Sequence, residues 1–225
     1  MRAIKANIDS INLSCDSFEH LFLEEDYLIE TVKSVGVFQP KVWFAEFGQL
    51  LPKHVVEAKI VYTNTGLTLP LKRFSANQTL QTLEFAGLHS YKDKSIYLHQ
   101  ILKGLLAKIQ NCYIRRIDIA IDFRKAIPQS VVQALSRARK KFKYFDSSYF
   151  KTSGEKKSNP KINILIYDKG KKENLDGELW RLECSFRGNY FNKLSMRDID
   201  LAYNKMTKSI KRFTGLDISI NQINT

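Results

Sequence analysis

Two aspartates spaced four residues apart, Asp118 and Asp122, are the residues of this chain best placed to do chemistry. They belong to the segment Arg-Arg-Ile-Asp-Ile-Ala-Ile-Asp-Phe over residues 115–123. Strict alternation of apolar and polar residues predicts a half-buried strand with its isoleucines toward a core and both carboxylates on the other face. An acidic pair in this arrangement suits a metal ion, another cation or an arginine.

Two later segments have the same alternation. Arg181 and Glu183 share one face of a strand predicted over residues 179–187, while Tyr167 and Lys169 lie opposite the isoleucine face of residues 161–169. If the three strands form one sheet with helices against the isoleucines, their polar residues converge on the uncovered side. The converging set is Arg116, Asp118, Asp122, Tyr167, Lys169, Arg181 and Glu183.

Three carboxylates of this set could bind a hard divalent cation. Asp118, Asp122 and Glu183 would supply oxygen ligands to Mg²⁺ or Mn²⁺. The metal would polarise a phosphodiester oxygen, while a neighbouring Lys or Arg offsets the negative charge that develops on the phosphate. The residues alone leave an alternative open, in which solvated carboxylates pair with Arg and Lys on an ordinary exposed sheet face.

Hydrophobic patterning predicts the elements that hold these residues. Weak alternation predicts a strand over residues 3–14, and the mixture of acidic and apolar positions over 16–35 fits a helix. Residues 36–88 are rich in Val, Thr, Phe and Tyr with Gly, Pro and Asn between them, which predicts several short strands and hairpins.

The second half of the chain predicts helices alternating with strands. In order, these are a helix capped by Asp93, the strand 115–123, a helix opened by Pro128, an antiparallel hairpin of Tyr144–Lys151 with Lys161–Lys169, the strand Glu178–Arg187 and a helix over 192–213. The helical positions expected in the core are Ile96, Ile101, Leu102, Leu105, Leu106 and Ile109, then Val131, Val132 and Leu135, and finally Leu194, Ile199, Leu201, Met206, Ile210 and Phe213.

Together these elements predict an α+β fold, a mostly antiparallel sheet with helices packed on one face. We expect one domain over residues 1–225, with the motif-bearing half at about 93–213. Cys15, Cys112 and Cys184 form no Cys-x-x-Cys pair, which argues against a disulfide framework or a cysteine zinc site. The chain has neither a signal sequence nor an apolar run long enough to span a bilayer, so we expect a cytoplasmic protein without membrane contact.

The charge balance favours a polyanionic partner. Lys and Arg number 36 against 23 Asp and Glu, a formal net charge of +13, and such an excess favours nucleic acid. Basic residues near the aromatic positions Tyr144, Phe145, Tyr149 and Phe150 suit a groove that follows a nucleic-acid backbone, although a solvated helix end explains part of the cluster. The expected DNA contacts are Arg116, Arg137, Arg139, Lys140, Lys141, Lys143, Lys156, Lys157, Lys161, Tyr167, Lys171 and Lys172.

Three segments, taken in order, resemble the replication-initiation proteins of rolling-circle plasmids. They are Arg-Ile-Asp-Ile-Ala-Ile-Asp at 116–122, Ile-Tyr-Asp-Lys at 166–169 and Arg-Leu-Glu at 181–183. The pattern is most similar to the family of the staphylococcal plasmid initiators, and filamentous-phage replication endonucleases have a similar run of motifs. The likeness covers roughly residues 113–205, and each motif alone is weak.

The resemblance implies a tyrosine that attacks a DNA phosphodiester at the origin, leaving a 5′-phosphotyrosyl link and a 3′-OH primer. Tyr190 is the expected nucleophile, with Lys193 one helical turn away and Lys169 as cations that activate the phenol. Tyr203 is the rival nucleophile, while Tyr167 would orient the site or contact DNA. Lys169 and Arg181 would steady the phosphate.

The resemblance also implies a nucleotidyl-transferase fold like that of the endonucleases with a His-hydrophobe-His metal motif. His20, His54, His89 and His99 do not form that motif, and His89 and His99 are predicted to be structural. A carboxylate site with Mg²⁺ or Mn²⁺ would take its place.

The predicted function is nicking and rejoining of one strand at a rolling-circle origin, with residues 154–161 recognising the origin. Single-stranded or hairpin origin DNA is the expected partner, with a host helicase and a second copy of the chain as further candidates. A non-catalytic DNA-binding initiator or repressor, and a metal-dependent hydrolytic nuclease, are the alternatives.

Overall fold

The computed structural model describes residues 3–15, 27–35, 54–62, 68–75, 81–91, 94–144, 146–151 and 161–223. The strands are β1 Ile4–Cys15, β2 Tyr27–Val35, β3 His54–Tyr62, β4 Thr68–Ser75, β5 Gln81–Ala86, β6 Tyr113–Phe123, β7 Lys140–Tyr144, β8 Ser147–Lys151, β9 Ile162–Asp168, β10 Trp180–Arg187 and β11 Ile218–Asn221. The helices are α1 Lys94–Leu105, α2 Gln129–Ala138, α3 Lys169–Glu173 and α4 Ile199–Thr214, with single 3₁₀ turns at Gly188–Tyr190 and Met196–Asp198.

All of these strands belong to one sheet. Its order is β2-β3-β4-β5-β1-β6-β10-β9-β8-β7, and β11 pairs with β1 outside this path. The β1–β11 pair is parallel, whereas the pairs that join β6, β10, β9 and β8 are antiparallel. The predicted α+β architecture with a mostly antiparallel sheet is therefore confirmed.

One face of the central strands packs into the main core. Ile117, Ile119 and Ile121 of β6 are all fully buried, as sequence alternation predicts. They belong to the same apolar cluster as the buried positions of α1, α2 and α4. Burying a side chain of this size stabilises the fold by about 1.5–3 kcal/mol. The isoleucine face is therefore the helix-covered face of the sheet.

Two helix predictions differ from the structure. Residues 27–35 form β2, paired antiparallel with β3, so the helix expected over 16–35 is wrong there, and 16–26 lie outside the described residues. Strand pairing has overridden a mixed local pattern. The last helix begins at Ile199 rather than 192, because Ser195 and Asp198 form a capping box at the preceding 3₁₀ turn.

Several smaller predictions also need correction. Ile96 is 58% exposed and Leu201 59% exposed, so neither is a core residue, whereas Leu98, which the pattern missed, is buried. The short helix α3, between the predicted strands Lys161–Lys169 and Glu178–Arg187, was not predicted. Strands β7 and β11 were not predicted, and Asp93, the expected cap of α1, lies outside the described residues.

Candidate active site

The structure places the three motif segments side by side. β10 pairs with β6 on one edge and with β9 on the other, so that Arg181 lies opposite both Asp122 and Tyr167. Residues opposite each other in an antiparallel pair point to the same face. The face turned away from the isoleucines is called the polar face below. It carries Ser10, Arg116, Asp118, Asp122, Tyr167, Arg181, Glu183 and Arg187, joined by Asp9 from a bulge in β1.

Arg181 is the centre of this face. Its side chain is fully buried and donates to Asp122 from Nε at 2.7 Å and from Nη2 at 2.9 Å. It also donates to Asp9 at 2.9 Å and to the carbonyl oxygen of His89 at 3.1 Å. Burial alone would lower the pKa of Arg181, but the hydrogen bond and charge of Asp122 raise it above its usual value. The guanidinium, which was expected to steady phosphate, instead holds three chain segments together.

Asp122 is held by three neighbours. Besides Arg181, the His89 ring nitrogen lies 2.8 Å and the Tyr91 hydroxyl 2.7 Å from its Oδ2. Burial would raise the pKa of Asp122, but hydrogen bonds from His89 and Arg181 hold it well below its usual range. A carboxylate so strongly stabilised as the anion is a poor proton acceptor.

Asp118 is also paired with an arginine. Its carboxylate accepts from Arg116 at 2.8 Å and 2.5 Å and from the Ser10 hydroxyl at 2.5 Å. The sequence predicted that this face is open to solvent. Asp118 is only 2% exposed, so this part of the polar face is covered. The pairing matches the alternative, left open above, that the carboxylates bind arginines.

Glu183 differs from these two carboxylates. It accepts a hydrogen bond from the Tyr167 hydroxyl at 3.1 Å and forms no ion pair in the part of the chain that the structure describes. Burial, followed by the negative charges of Asp118 and Asp9, raises the pKa of Glu183. A carboxyl whose pKa lies above its usual range is suited to accept and return a proton.

The predicted metal shell is not assembled in this arrangement. Among the described residues no group of three His, Cys, Asp or Glu side chains could hold a metal ion. Asp118 and Asp122 direct their oxygens to arginines, so the donor set Asp118, Asp122 and Glu183 does not fit a three-carboxylate cation site as it stands.

The expected nucleophile Tyr190 lies on the other side of the sheet. Its ring centroid is 4.7 Å from that of Phe186, which belongs to the apolar core, and its hydroxyl is 2.8 Å from Ser209 Oγ. Tyr190 is 7% exposed, and burial raises its pKa to about 12. Tyr203 is also buried, within α4. Neither tyrosine is brought to the carboxylates of the polar face.

The helical spacing expected for Tyr190 and Lys193 is wrong. Tyr190 ends a single 3₁₀ turn, and the backbone is left-handed at Asn192 (φ 48°) and Lys193 (φ 63°). The cation beside the Tyr190 ring is Lys205, whose Nζ lies 4.7 Å from the ring centroid and also donates to the Tyr190 carbonyl oxygen.

Tyr167 is the motif tyrosine on the polar face. Besides its contact with Glu183, it lines a surface pocket with Lys171 and Lys172, and Lys172 Nζ lies 4.9 Å from its ring centroid. Burial and the charge of Glu183 raise the pKa of its phenol. The chain can turn closely after β9 because residue 170 is glycine, where a Cβ would lie 2.8 Å from the carbonyl oxygen of Gly177.

Most of the other predicted basic contacts have partners or lie elsewhere. Lys169 is buried and pairs with Glu173 at 2.7 Å. Arg139 is buried, donates to the Ile162 carbonyl oxygen at 3.0 Å and stacks on Phe213. Arg137 is exposed near the end of α2.

The basic residues of β7 do not join the polar face. Lys141 lies opposite Phe150 and Lys143 opposite Ser148, on the face that continues to the core residue Ile164. Lys171 pairs with Asp146 at 2.7 Å on the surface. The side chain of Lys140 and all of Lys156 and Lys157 lie outside the described residues.

Sequence patterning missed four contributors to the site, namely Asp9, Ser10, His89 and Tyr91. Asp9 lies at a bulge between Ile8 and Ser10, which breaks the alternation that would have indicated it. His89 was predicted to be structural, and it indeed contacts Asn7 as well as Asp122. Tyr91 follows it in a segment without periodicity, so only its contact with Asp122 identifies it.

Two broader predictions concern disulfide bonds and membrane contact. None of the three cysteines forms a disulfide bond. The Cys15 and Cys112 thiols are hydrogen bonded to each other, and this contact together with burial raises the pKa of Cys112. Within the described ranges no helix is both long and apolar enough to cross a membrane.

Comparison with known proteins gives one structural likeness to report. No family model matches the chain, and no curated protein matches it. It is similar to the solved "Structure of Rolling Circle Replication Initiator Protein from Geobacillus stearothermophilus", with a TM-score of 0.47 and 15% sequence identity over 93% of this chain and 85% of that one.

We expect Glu183→Gln to stabilise the protein in the presence of a chelator. The pKa of Glu183 in the folded protein is raised above its ordinary value of 4.5, so the folded state binds this proton more tightly than the unfolded state does. The protein therefore loses stability as the pH rises from the unfolded-state pKa to the folded-state pKa. Gln keeps an acceptor for Tyr167 and removes the charge, so the free energy of unfolding at pH 7 should rise by roughly 0.5–2 kcal/mol. Urea unfolding at pH 4 and 7 measures this, and an equal effect at both values would contradict it.

Proposed function

We propose that this protein is a DNA replication initiator that nicks one strand at a rolling-circle origin and later rejoins it. The observation that carries the proposal is the convergence of the three motif segments on one face of β6, β10 and β9. They are up to 67 residues apart in the chain, counting from Arg116 to Glu183, yet Arg181 and Glu183 sit between Asp122 and Tyr167. Such convergence is expected of a reaction site, although the Arg181 ion pairs within it also stabilise the sheet.

Tyr167 is the nucleophile that this geometry supports best. The Tyr167 hydroxyl contacts Glu183, and the raised pKa of Glu183 suits a general base. The Tyr91 hydroxyl contacts Asp122, and the lowered pKa of Asp122 makes it a weak base. Tyr190, which the resemblance favoured, has a serine as its hydroxyl partner and lies across the sheet.

The proposed step begins with in-line attack of the Tyr167 oxygen on phosphorus. The phenolic proton passes to Glu183, an O–P bond forms to Tyr167, and the bond from phosphorus to the 3′ oxygen breaks. The leaving oxygen takes up a proton to become the 3′-OH primer, and the DNA stays attached through a 5′-phosphotyrosyl link. The reverse attack by a 3′-OH rejoins the strand without ATP.

The remaining residues hold this pair in place. The Arg181 bonds to Asp122 and Asp9 fix β10 relative to β1 and β6, and the backbone of β10 carries Glu183. Arg116 keeps part of its side chain exposed, 29%, while bound to Asp118, so it is available to the phosphate. Pre-positioned groups of this kind lower a barrier mainly by orientation and electrostatics.

Dependence on Mg²⁺ or Mn²⁺ stays a separate prediction from the sequence resemblance. No step above is routed through a metal ion, because the described carboxylates do not form a shell for one. The proposed partner is single-stranded or hairpin origin DNA in the cytoplasm, with a host helicase and a second protomer as further candidates.

The proposal is tested by covalent trapping. Purified protein is incubated with single-stranded DNA from the replicon that encodes it, with Mn²⁺ or with EDTA, and then denatured in detergent. We expect a protein–DNA adduct that survives denaturation and holds the fragment with its 5′ phosphate at the break, together with a released fragment that ends in a free 3′-OH.

The two alternatives give different results in the same assay. Cleavage without an adduct would indicate a hydrolytic nuclease that uses water as nucleophile. Binding without cleavage would indicate a non-catalytic initiator or repressor. Either outcome would overturn the proposed tyrosine chemistry.

A further inference from the structure

The polar face continues beyond the proposed reaction centre into a pair of arginines. Arg116 of β6 and Arg187 of β10 lie directly opposite each other in the strand register. Like charges in this position repel each other and destabilise a sheet. Asp118 neutralises Arg116 through two short contacts, but no ion pair of Arg187 is found within the described ranges.

Arg187 has an unsatisfied side-chain donor. Its Nε is buried and has no hydrogen-bond partner among the described residues. Burial, followed by the charge of Arg116, lowers the pKa of Arg187, although the charges of Asp118, Glu183 and Glu84 act in the opposite direction. A buried unsatisfied donor on a cation is costly unless a ligand completes it. The chemistry that would complete it is an anion with oxygen acceptors.

A pocket opens where both strands end beside these arginines. It is lined by residues adjacent in sequence to Arg116 and Arg187, and by the loop that follows β10. The lining residues are Tyr113, Ile114, Arg115, Gly188, Asn189, Asn192 and Lys193. This set contains two cations, two amides and one aromatic ring but no carboxylate, so its charge is that of an anion site.

Two features of the pocket suggest a ligand that includes a ring. Tyr113 is 43% exposed although it belongs to a central strand, which leaves one large aromatic surface open to solvent. The loop holds two consecutive residues, Asn192 and Lys193, at positive φ of 48° and 63°. Strained backbone of this kind tends to persist at sites where a function requires it.

We infer that this pocket binds the base of one unpaired nucleotide of the DNA strand, stacked on Tyr113, while the phosphate of that nucleotide extends to Arg116 and Arg187, which do not themselves line the pocket. Asn189 and Asn192 would offer hydrogen bonds to the base edge, and Lys193 would contact the next phosphate. The inference rests on the proposed function and adds to it a second binding position along the polar face, beyond Tyr167 and Glu183. Lys193 thereby receives a DNA-binding role instead of the predicted catalytic one.

The structure favours single-stranded over duplex DNA at this position. A base in a duplex is stacked on its neighbours and cannot lie on a side chain, whereas an unpaired base stacks readily on an aromatic ring. Binding at this pocket would also orient the strand that enters the reaction centre.

The test measures binding of the full-length protein to a fluorescently labelled single-stranded oligonucleotide of mixed sequence across a salt series. Tyr113→Ala should raise the Kd by roughly five- to a hundredfold, since it removes a stacking surface, whereas Tyr113→Phe keeps the ring and should bind like the wild type. Arg187→Gln should weaken binding and make the slope of log K against log salt less negative by about 0.7. Lys208→Gln, on the helix-covered side, removes the same charge and should change little.

Each outcome separates the inference from the proposed function. If the wild type binds but Tyr113→Ala and Arg187→Gln behave like Lys208→Gln, the pocket is not a nucleotide site and the proposed function stands. If Tyr113→Phe loses as much affinity as Tyr113→Ala, base stacking is excluded. If the wild type fails to bind the oligonucleotide, both are overturned. Melting temperatures verify folding, and the exposed position of Tyr113 makes its two variants decisive if Arg187→Gln unfolds.

Discussion

Tyr167→Phe is expected to eliminate the covalent protein–DNA adduct while leaving DNA binding intact. The substitution removes one oxygen atom, the one that lies 3.1 Å from Glu183, and keeps the ring beside Lys172. Loss of a nucleophile lowers the rate by at least about a thousandfold. The measurement is adduct yield on a denaturing gel, with Kd determined in parallel on the same oligonucleotide.

Tyr190→Phe is the matched control. It removes an equivalent hydroxyl, but one that contacts Ser209 on the helix-covered side of the sheet. We expect normal adduct formation and a loss of about 1 kcal/mol of stability from the missing hydrogen bond. If Tyr167→Phe still forms the adduct and Tyr190→Phe does not, the nucleophile is Tyr190, as the sequence resemblance implies.

Tyr91→Phe tests the other phenol near the polar face, which is 46% exposed, whereas Tyr167 is 5% exposed. The Tyr91 hydroxyl donates a hydrogen bond to Asp122 at 2.7 Å. Burial together with this hydrogen bond raises the pKa of Tyr91 to about 12. We expect the Tyr91→Phe variant to form the adduct, since Asp122 is a weak base. An adduct that disappears with Tyr91→Phe alone would assign the attack to Tyr91 and contradict the role given to Tyr167.

Arg181→Met is expected to cause the largest loss of stability of any substitution on the polar face. The methionine preserves much of the side-chain length but removes the partner of two largely buried carboxylates, Asp122 at 12% and Asp9 at 19% exposure. Breaking a buried ion pair by removing one member destabilises a protein by about 3–5 kcal/mol. Urea unfolding followed by circular dichroism measures the change.

Two controls test the stated cause. Lys211→Met breaks the exposed pair with Asp217, whose side chains are 60% and 59% exposed, and should lower stability by less than about 1 kcal/mol. Adding Asp122→Asn to Arg181→Met removes one of the unpaired charges and should restore part of the loss. If the double variant is as unstable as the sum of the single variants, the two residues do not act as a pair.

The sequence predicted much of this site because strand alternation is a local property. The pleat has a period of two, so the order of residue types in β6, β9 and β10 determines which side chains share a face. The isoleucine face and the polar face agree with that expectation, whereas the strand order β6, β10, β9 comes from the structure alone. The failures lie where the pattern is interrupted, at the bulge beside Asp9 and in the loop after β10.

Tyr190 shows why the rest was not accessible from sequence. Gly188 adopts a left-handed conformation with φ of 51° directly after β10, and the turn that follows sends the Tyr190 ring onto Phe186. Helical spacing over residues 190–193 therefore predicted the wrong side-chain positions for both Tyr190 and Lys193. The physical cause is a backbone conformation that neither residue's type reveals.

The sequence by itself determined the composition of the polar face, namely which carboxylates, cations and tyrosines alternate with the buried isoleucines. Only the tertiary structure decided how those groups pair, because Arg181 meets Asp9 across 172 positions of the chain and Asp122 across 59. Electrostatic pairing depends on distances of a few ångströms in three dimensions. It made two predicted metal ligands the partners of arginines, and it placed the Tyr167 hydroxyl beside Glu183.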